Sequence, residues 1–276
     1  MVRPFAKYEG LGNDFVLLEG DAAVGMTGAQ AKLLCDRHRG IGADGVLALT
    51  LERGADGSLA IFNADGSRAT MCGNGARCVA LHQLLHGRAS VGQTFTIGTD
   101  AGPRHVTIRA ADGAQSAEVE VDMGVVRIER EDIELQASGR RLVVVAVRVG
   151  NPHAVVVASV PEAEQLAVVR EAEARTDLWP DGVNVEFAEV SSDGAHVRVR
   201  VHERGSGWTQ ACGTGACAVA VVALRGQGLA EGRIEVTLPG GALAVTATLS
   251  GPEAHVLLRG PARRVYEGHV EMAAAG

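Results

Sequence analysis

The chain has 276 residues, 46% of them apolar and 3% aromatic, with a formal net charge of −7. That charge speaks against a nucleic-acid surface, and no apolar run reaches the length of a membrane span. The length suits one large domain or two ordinary ones, with a core built mostly of Val, Ala and Leu. The five cysteines are an odd number and form no Cys-x-x-Cys pair, which fits a reducing cytoplasm better than a disulfide framework. Residues 1–20 mix Arg3, Lys7, Glu9 and Asp14 with apolar residues, unlike a secretory signal.

In chain order, Met1 to Leu18 reads as strand, loop and strand, the loop being Glu9-Gly10-Leu11-Gly12-Asn13-Asp14. Thr27 is a plausible N-cap for a helix from Gly28 to about His38. Val46 to Leu51 reads as a strand. The next short strand turns at Asn63-Ala64-Asp65-Gly66. Asp44 and Asp65 read as turn aspartates and Asn63 as a strand-end cap. Thr94 to Val149 is mostly strands, ending at a predicted turn, Gly150-Asn151-Pro152-His153. By itself, His153 at such a turn reads as structural. Pro161 opens a helix to about Ala174. Val183 to Phe187 is a strand, and His196 to Arg204 alternates with period two. Gly226 and Gly228 stop the next helix.

One motif occurs twice: Met71-Cys72-Gly73-Asn74-Gly75-Ala76-Arg77-Cys78 and Ala211-Cys212-Gly213-Thr214-Gly215-Ala216-Cys217. The lead cysteines lie 212 − 72 = 140 residues apart, about half the chain, which suggests two similar halves. Each motif opens into an apolar segment of helical length, Ala76 to His86 and Ala216 to Arg225. A thiol at a helix start meets unpaired N–H groups and the positive end of the helix dipole. It ionises more readily there, and the same groups can hold a carboxylate. Cys35, Cys78 and Cys217 read as small core residues.

Two such thiols suit dithiol redox or two-base proton transfer, in which one takes a proton from a carbon and the other returns one to the opposite face. Cys72, Cys78, Cys212 and Cys217 with His38 or His153 would be the metal alternative, but spacings of six and five residues are wide for zinc, and no metal is expected. P-loop, His-Glu-x-x-His and Gly-x-Ser-x-Gly motifs are absent. The two lysines, Lys7 and Lys32, have no phosphate-binding context, so a pyridoxal-phosphate racemase is disfavoured and no cofactor is expected.

Gly12-Asn13-Asp14-Phe15, Arg39 to Gly45, Phe62 to Cys78, Gly150 to His153, Val183 to Phe187 and Glu203 to Cys217 together resemble the diaminopimelate epimerase family. The resemblance implies an α/β fold of α+β type with two pseudo-symmetric domains. Each wraps mixed β-strands around a central helix, with the active site in the cleft between them. The domain boundaries expected are residues 1–117 plus 263–276, carrying Cys72, and 118–262, carrying Cys212. The resemblance implies cofactor-independent epimerisation of LL- to meso-2,6-diaminopimelate, in lysine and peptidoglycan synthesis.

Cys72 and Cys212 match the proton-transferring pair. Glu203, expected nearer Cys212, and His153, expected nearer Cys72, match the assisting residues, which reverses the structural reading of His153. Asn13, Asn63, Asn151, Asn184, Glu203 and Arg204 match substrate-binding positions, Arg204 for a distal carboxylate. Backbone N–H groups of Gly73, Asn74, Gly213 and Thr214 match the holders of the α-carboxylate. The partners expected are a small amino-acid substrate and a second copy in a cytoplasmic homodimer, with no nucleic acid and no membrane. Trp208, Gln210 and His202 depart from the family's usual residues at their positions. The alternatives are a two-thiol racemase or epimerase of proline, hydroxyproline or histidine, and a dithiol redox or metal-binding protein.

Overall fold

The structure is a computed structural model and describes residues 2–272 except 53, 55 and 114. By its internal contacts the chain forms two compact units, Met1–Asp122 with Arg259–Gly276, and Met123–Leu258. The first unit contains β1 (Val2–Gly10), β2 (Asn13–Glu19), α1 (Gly28–Cys35), β3 (Gly45–Leu51), β4 (Gly57–Asn63), β5 (Arg68–Ala69), α2 (Gly73–Leu85), β6 (Thr94–Thr99) and β7 (Gly102–Asp112). Strand β8 (Ser116–Ala137) takes the chain into the second unit. There follow β9 (Arg140–Val149), β10 (Asn151–Val157), α3 (Glu162–Ala174), β11 (Asn184–Val190), β12 (His196–Glu203), β13 (Gly207–Thr209), α4 (Gly213–Gly226), β14 (Glu231–Leu238) and β15 (Gly241–Ser250). Strand β16 (Glu253–Glu271) returns the chain to the first unit.

The strand order is β8-β7-β6-β4-β3-β2-β1-β16 in the first unit and β8-β9-β10-β11-β12-β14-β15-β16 in the second. Helix α2 is buried from Gly73 through Gln83, and α4 from Gly213 to Leu224 except at Thr214. Helix α2 buries Asn74, Arg77, His82 and Gln83 along with its apolar residues, and with every side enclosed neither helix buries a single stripe. The outer helices do show one. Helix α1 buries Ala31, Leu34 and Cys35, and α3 buries Gln165, Val168, Val169 and Ala172, the i, i+3, i+4 spacing of one face. Among the described residues no helix is long and apolar enough to cross a membrane.

The two units repeat one local arrangement. In the first, β2 and β3 run parallel with Phe15 beside Gly45, and β4 pairs antiparallel with Asn63 beside Gly45. In the second, β10 and β11 run parallel with His153 beside Asn184, and β12 pairs antiparallel with His202 beside Val185. The matching positions are therefore Asn13 and Asn151, Phe15 and His153, Leu47 and Glu186, Asn63 and Glu203, and Cys72 and Cys212.

Three boundaries differ from the sequence reading. Helix α1 starts at the Thr27 capping box with Gln30 but stops at Cys35, because the Asp36 carboxylate accepts the N–H groups of His38 and Arg39 and turns the chain. Helices α2 and α4 begin at Gly73 and Gly213, so the Gly-x-Gly runs are the first helical turns and not a preceding loop. The turn expected over Gly150 to His153 is made at Gly150, at φ +81°, and Asn151, Pro152 and His153 already lie in β10.

Candidate active site

Cys72 and Cys212 are the N-caps of α2 and α4, both in extended backbone conformation. Each sulfur accepts the N–H of the second glycine in its motif, Gly75 or Gly215, at 3.4 Å. The first intrahelical bonds run from Ala76 N–H to the Cys72 carbonyl and from Ala216 N–H to the Cys212 carbonyl. Gly73, Asn74, Gly213 and Thr214 thus present their N–H groups in the first turn, ahead of the ladder, where a carboxylate is attracted. The third helical position is closely packed. A Cβ on Gly215 would stand 2.9 Å from Glu186 Oε1 and 3.3 Å from the Cys212 sulfur, and one on Gly75 would stand 2.9 Å from Leu47 Cδ2.

The two thiols have different surroundings within their own units. Cys72 is half-buried. The Asn74 amide donates to Asn13 Oδ1 at 3.1 Å, and Asn13 donates to Asp44 at 3.0 Å. Arg77 holds Asn74 Oδ1 at 2.9 Å. Asn63 donates to the Ser67 hydroxyl, 2.9 Å away. Asp65 accepts both the N–H and the hydroxyl of Ser67, the turn role expected of it. Asp44, by contrast, joins Asn13, Asp14 and Arg37 in one network. Burial would raise the Asp14 carboxyl, but hydrogen bonds from Arg37 and Lys7 outweigh it and hold it at about 2.

Around Cys212 the neighbours are ionisable. Burial raises the Cys212 thiol well above the ordinary cysteine value, and the charges of Glu203 and Glu186 push the same way. Burial likewise raises the Glu203 carboxyl, against hydrogen bonds from the Thr209 hydroxyl and the Cys212 thiol. The Thr209 hydroxyl donates to Glu203 Oε1 at 2.6 Å. Thr214 Oγ1 lies 3.4 Å from the Cys212 sulfur. His153 is fully buried in the same unit, its Nδ1 2.7 Å from Glu186 Oε1 and its Nε2 3.1 Å from Asn151 Oδ1. Asn184, buried, accepts the Arg204 N–H at 3.0 Å. The Arg204 guanidinium is exposed and donates to the Asp181 carbonyl.

Within the second unit the fold therefore gathers Cys212, Thr214, Glu203, His153, Asn151, Asn184 and Arg204; within the first it gathers Cys72, Asn74 and Asn13. Glu186 and Thr209 went unmarked in the sequence. The one available signal for Glu186 was its place two residues after Asn184 in the strand Val183 to Phe187, on the same face. Trp208 stacks on the edge of His202, ring centroids 5.2 Å apart, and carries the Arg200 guanidinium 4.6 Å above its own ring. Two of the three residues that depart from the family pattern, Trp208 and His202, thus pack on each other. Cys35, Cys78 and Cys217 are buried, as small core residues are.

The arrangement agrees with the similarities of the whole chain. Solved structures with the same fold include a probable proline racemase from Agrobacterium radiobacter, with TM-score 0.73 and 18% identity, covering 99% of this chain and 93% of that one. A PhzF-family phenazine biosynthesis protein from Bacillus anthracis gives TM-score 0.75 and 15% identity over 99% and 100%. At such identities the likeness concerns the fold alone. The sequence goes further. The diaminopimelate epimerase of Mycolicibacterium paratuberculosis is 42% identical over 289 aligned residues, covering 96% of both chains. That of Picosynechococcus is 39% identical over 99% of this chain and 100% of its own. The family model named diaminopimelate epimerase matches residues 5–129 and 145–265, which take in both cysteine motifs. The chain belongs to the diaminopimelate epimerase family.

Proposed function

We propose that this protein interconverts LL- and meso-2,6-diaminopimelate, without a cofactor, by proton transfer between Cys72, Cys212 and the substrate's Cα. The observation that carries the reading is the pair of cysteines capping two buried helices, each sulfur on a helix N-terminus in a Gly-x-Gly-Ala turn. One cysteine, as thiolate, removes the α-proton from one face and becomes a thiol. The other, as thiol, delivers its proton to the opposite face and becomes a thiolate. Net proton count is unchanged and the stereocentre is inverted. The N–H groups of Gly73, Asn74, Gly213 and Thr214 are assigned to the α-carboxylate, where they offset charge that grows as the carbanion forms.

Glu203 and His153 assist the thiols, and Asn13, Asn63, Asn151, Asn184 and Glu203 hold the substrate's polar groups. Arg204 pairs with the distal carboxylate, for which its planar fork is suited. Its exposure and its single backbone partner support that role. The product serves lysine and peptidoglycan synthesis in the cytoplasm, and the active form is a homodimer, for which a solution mass near twice 28.6 kDa is the check.

Cys72→Ala and Cys212→Ala are expected to lose epimerisation by at least about 10³-fold while remaining folded. Turnover at the wild-type rate in either variant rejects the two-base assignment.

A further inference from the structure

Glu186 is a third ionisable group beside Cys212. It is wholly buried on β11, with Oε1 at His153 Nδ1 and Oε2 without a hydrogen-bond partner among the described residues. A buried carboxylate oxygen left unpaired lowers stability. The packing slot does not demand a carboxylate. At the matching place in the first unit stands Leu47, wholly buried and set against Gly75 as Glu186 is set against Gly215. The same comparison puts Phe15 opposite His153 and Asn63 opposite Glu203. One architecture thus carries three neutral residues in one unit and three ionisable ones in the other.

The ring's partners show what the carboxylate does. His153 has Glu186 Oε1 at Nδ1 and the Asn151 amide at Nε2. A carboxylate oxygen accepts, so Glu186 takes the Nδ1–H, which sets the tautomer of the ring and leaves Nε2 toward Asn151. The ionisable groups beside the pair within the unit are Glu203 from β12 and Cys212 at the start of α4.

We propose that Glu186 is a positioning residue of the reaction: it acts through His153, fixing the ring between β10 and β11 and holding its tautomer beside the Cys212 site. It stands where the sister unit carries leucine. The proposal rests on the epimerase reading for its kinetic consequence but not for its structural one.

The test uses the full-length protein with Glu186→Gln, Glu186→Leu and Glu186→Asp. Nitrogen NMR of the unliganded protein reads the His153 ring directly. Wild type is expected to show one tautomer, with Nδ1 carrying the N–H, and E186Q to lose that preference. E186L is expected to melt below wild type, because the buried His153 Nδ1 loses its partner, and the double variant His153→Phe/Glu186→Leu, which carries the sister unit's residues at both places, to melt above E186L. The kcat of E186Q is expected to fall on the order of a hundredfold with KM nearly unchanged, with partial recovery in E186D. Unaltered His153 nitrogens with an unaltered kcat in E186Q would overturn the proposal. So would a lower melting temperature in E186L with kcat retained, the signature of a purely structural ion pair. Should diaminopimelate not be the substrate, the nitrogen spectra and melting temperatures decide the role of Glu186 on their own.

Discussion

Cys72 and Cys212 occupy equivalent places in two repeats, and two carboxylates, Glu203 and Glu186, stand beside the second. Burial, Glu203 and Glu186 all favour the protonated form of Cys212. The sign of the next prediction follows. Removing a neighbouring negative charge makes thiolate formation easier, so Glu203→Gln lowers the pH at which Cys212 ionises. Ultraviolet titration of thiolate absorbance, with Cys72→Ala as background, checks this. Movement of the Cys212 transition to higher pH in E203Q would contradict it. At this scale the sequence was informative where residue type and position coincide, as at both lead cysteines, and silent at Glu186. A single carboxylate between Val185 and Phe187 carries no periodic signature, and its partner His153 is 33 residues away.

Helix α2 is tied down at both ends, by the Cys72 cap at its start and by a polar network at its finish. The Tyr8 hydroxyl meets His82 Nδ1 at 2.8 Å, His82 Nε2 meets Glu19, and Arg88 holds Glu19 at 2.7 Å. Burial is the largest influence on His82 and lowers it to about 4, against the opposing pull of Glu19. Between the ordinary histidine value of 6.5 and about 4 the unfolded chain binds a proton that the folded chain refuses. Stability therefore falls as pH falls through that window, by on the order of 3 kcal/mol in all. His82→Gln is expected to be less stable near neutrality, because it loses two hydrogen bonds, but to show a flatter decline. Urea midpoints compared at about pH 7 and about pH 4.5 measure the slope, and an equally steep decline in H82Q would show that another group is responsible. Element types were legible because strands alternate and outer helices show a face. The enclosed helices were found through Gly-x-Gly and not through periodicity, since burial on all sides erases the stripe. Their starts, and the early stop of α1 at Asp36, depended on capping contacts that a pattern does not encode.

Over the whole molecule, duplication is the organising fact. The 140-residue spacing of the motifs shows it in sequence, and the matched registers of β2–β3 and β10–β11 show it in structure. What duplication does not disclose is where the copies differ, since Phe15 for His153 and Leu47 for Glu186 emerge only once the strands are set in register. The central claim is that two such copies supply two thiols to one carbon. It is tested most directly by proton NMR of the reduced protein with LL-diaminopimelate in D₂O, with no cofactor or metal added. The account predicts loss of the α-proton signal together with formation of the meso isomer, the new centre carrying deuterium. Absence of exchange from folded, reduced protein, or inversion with the original proton retained, would contradict it.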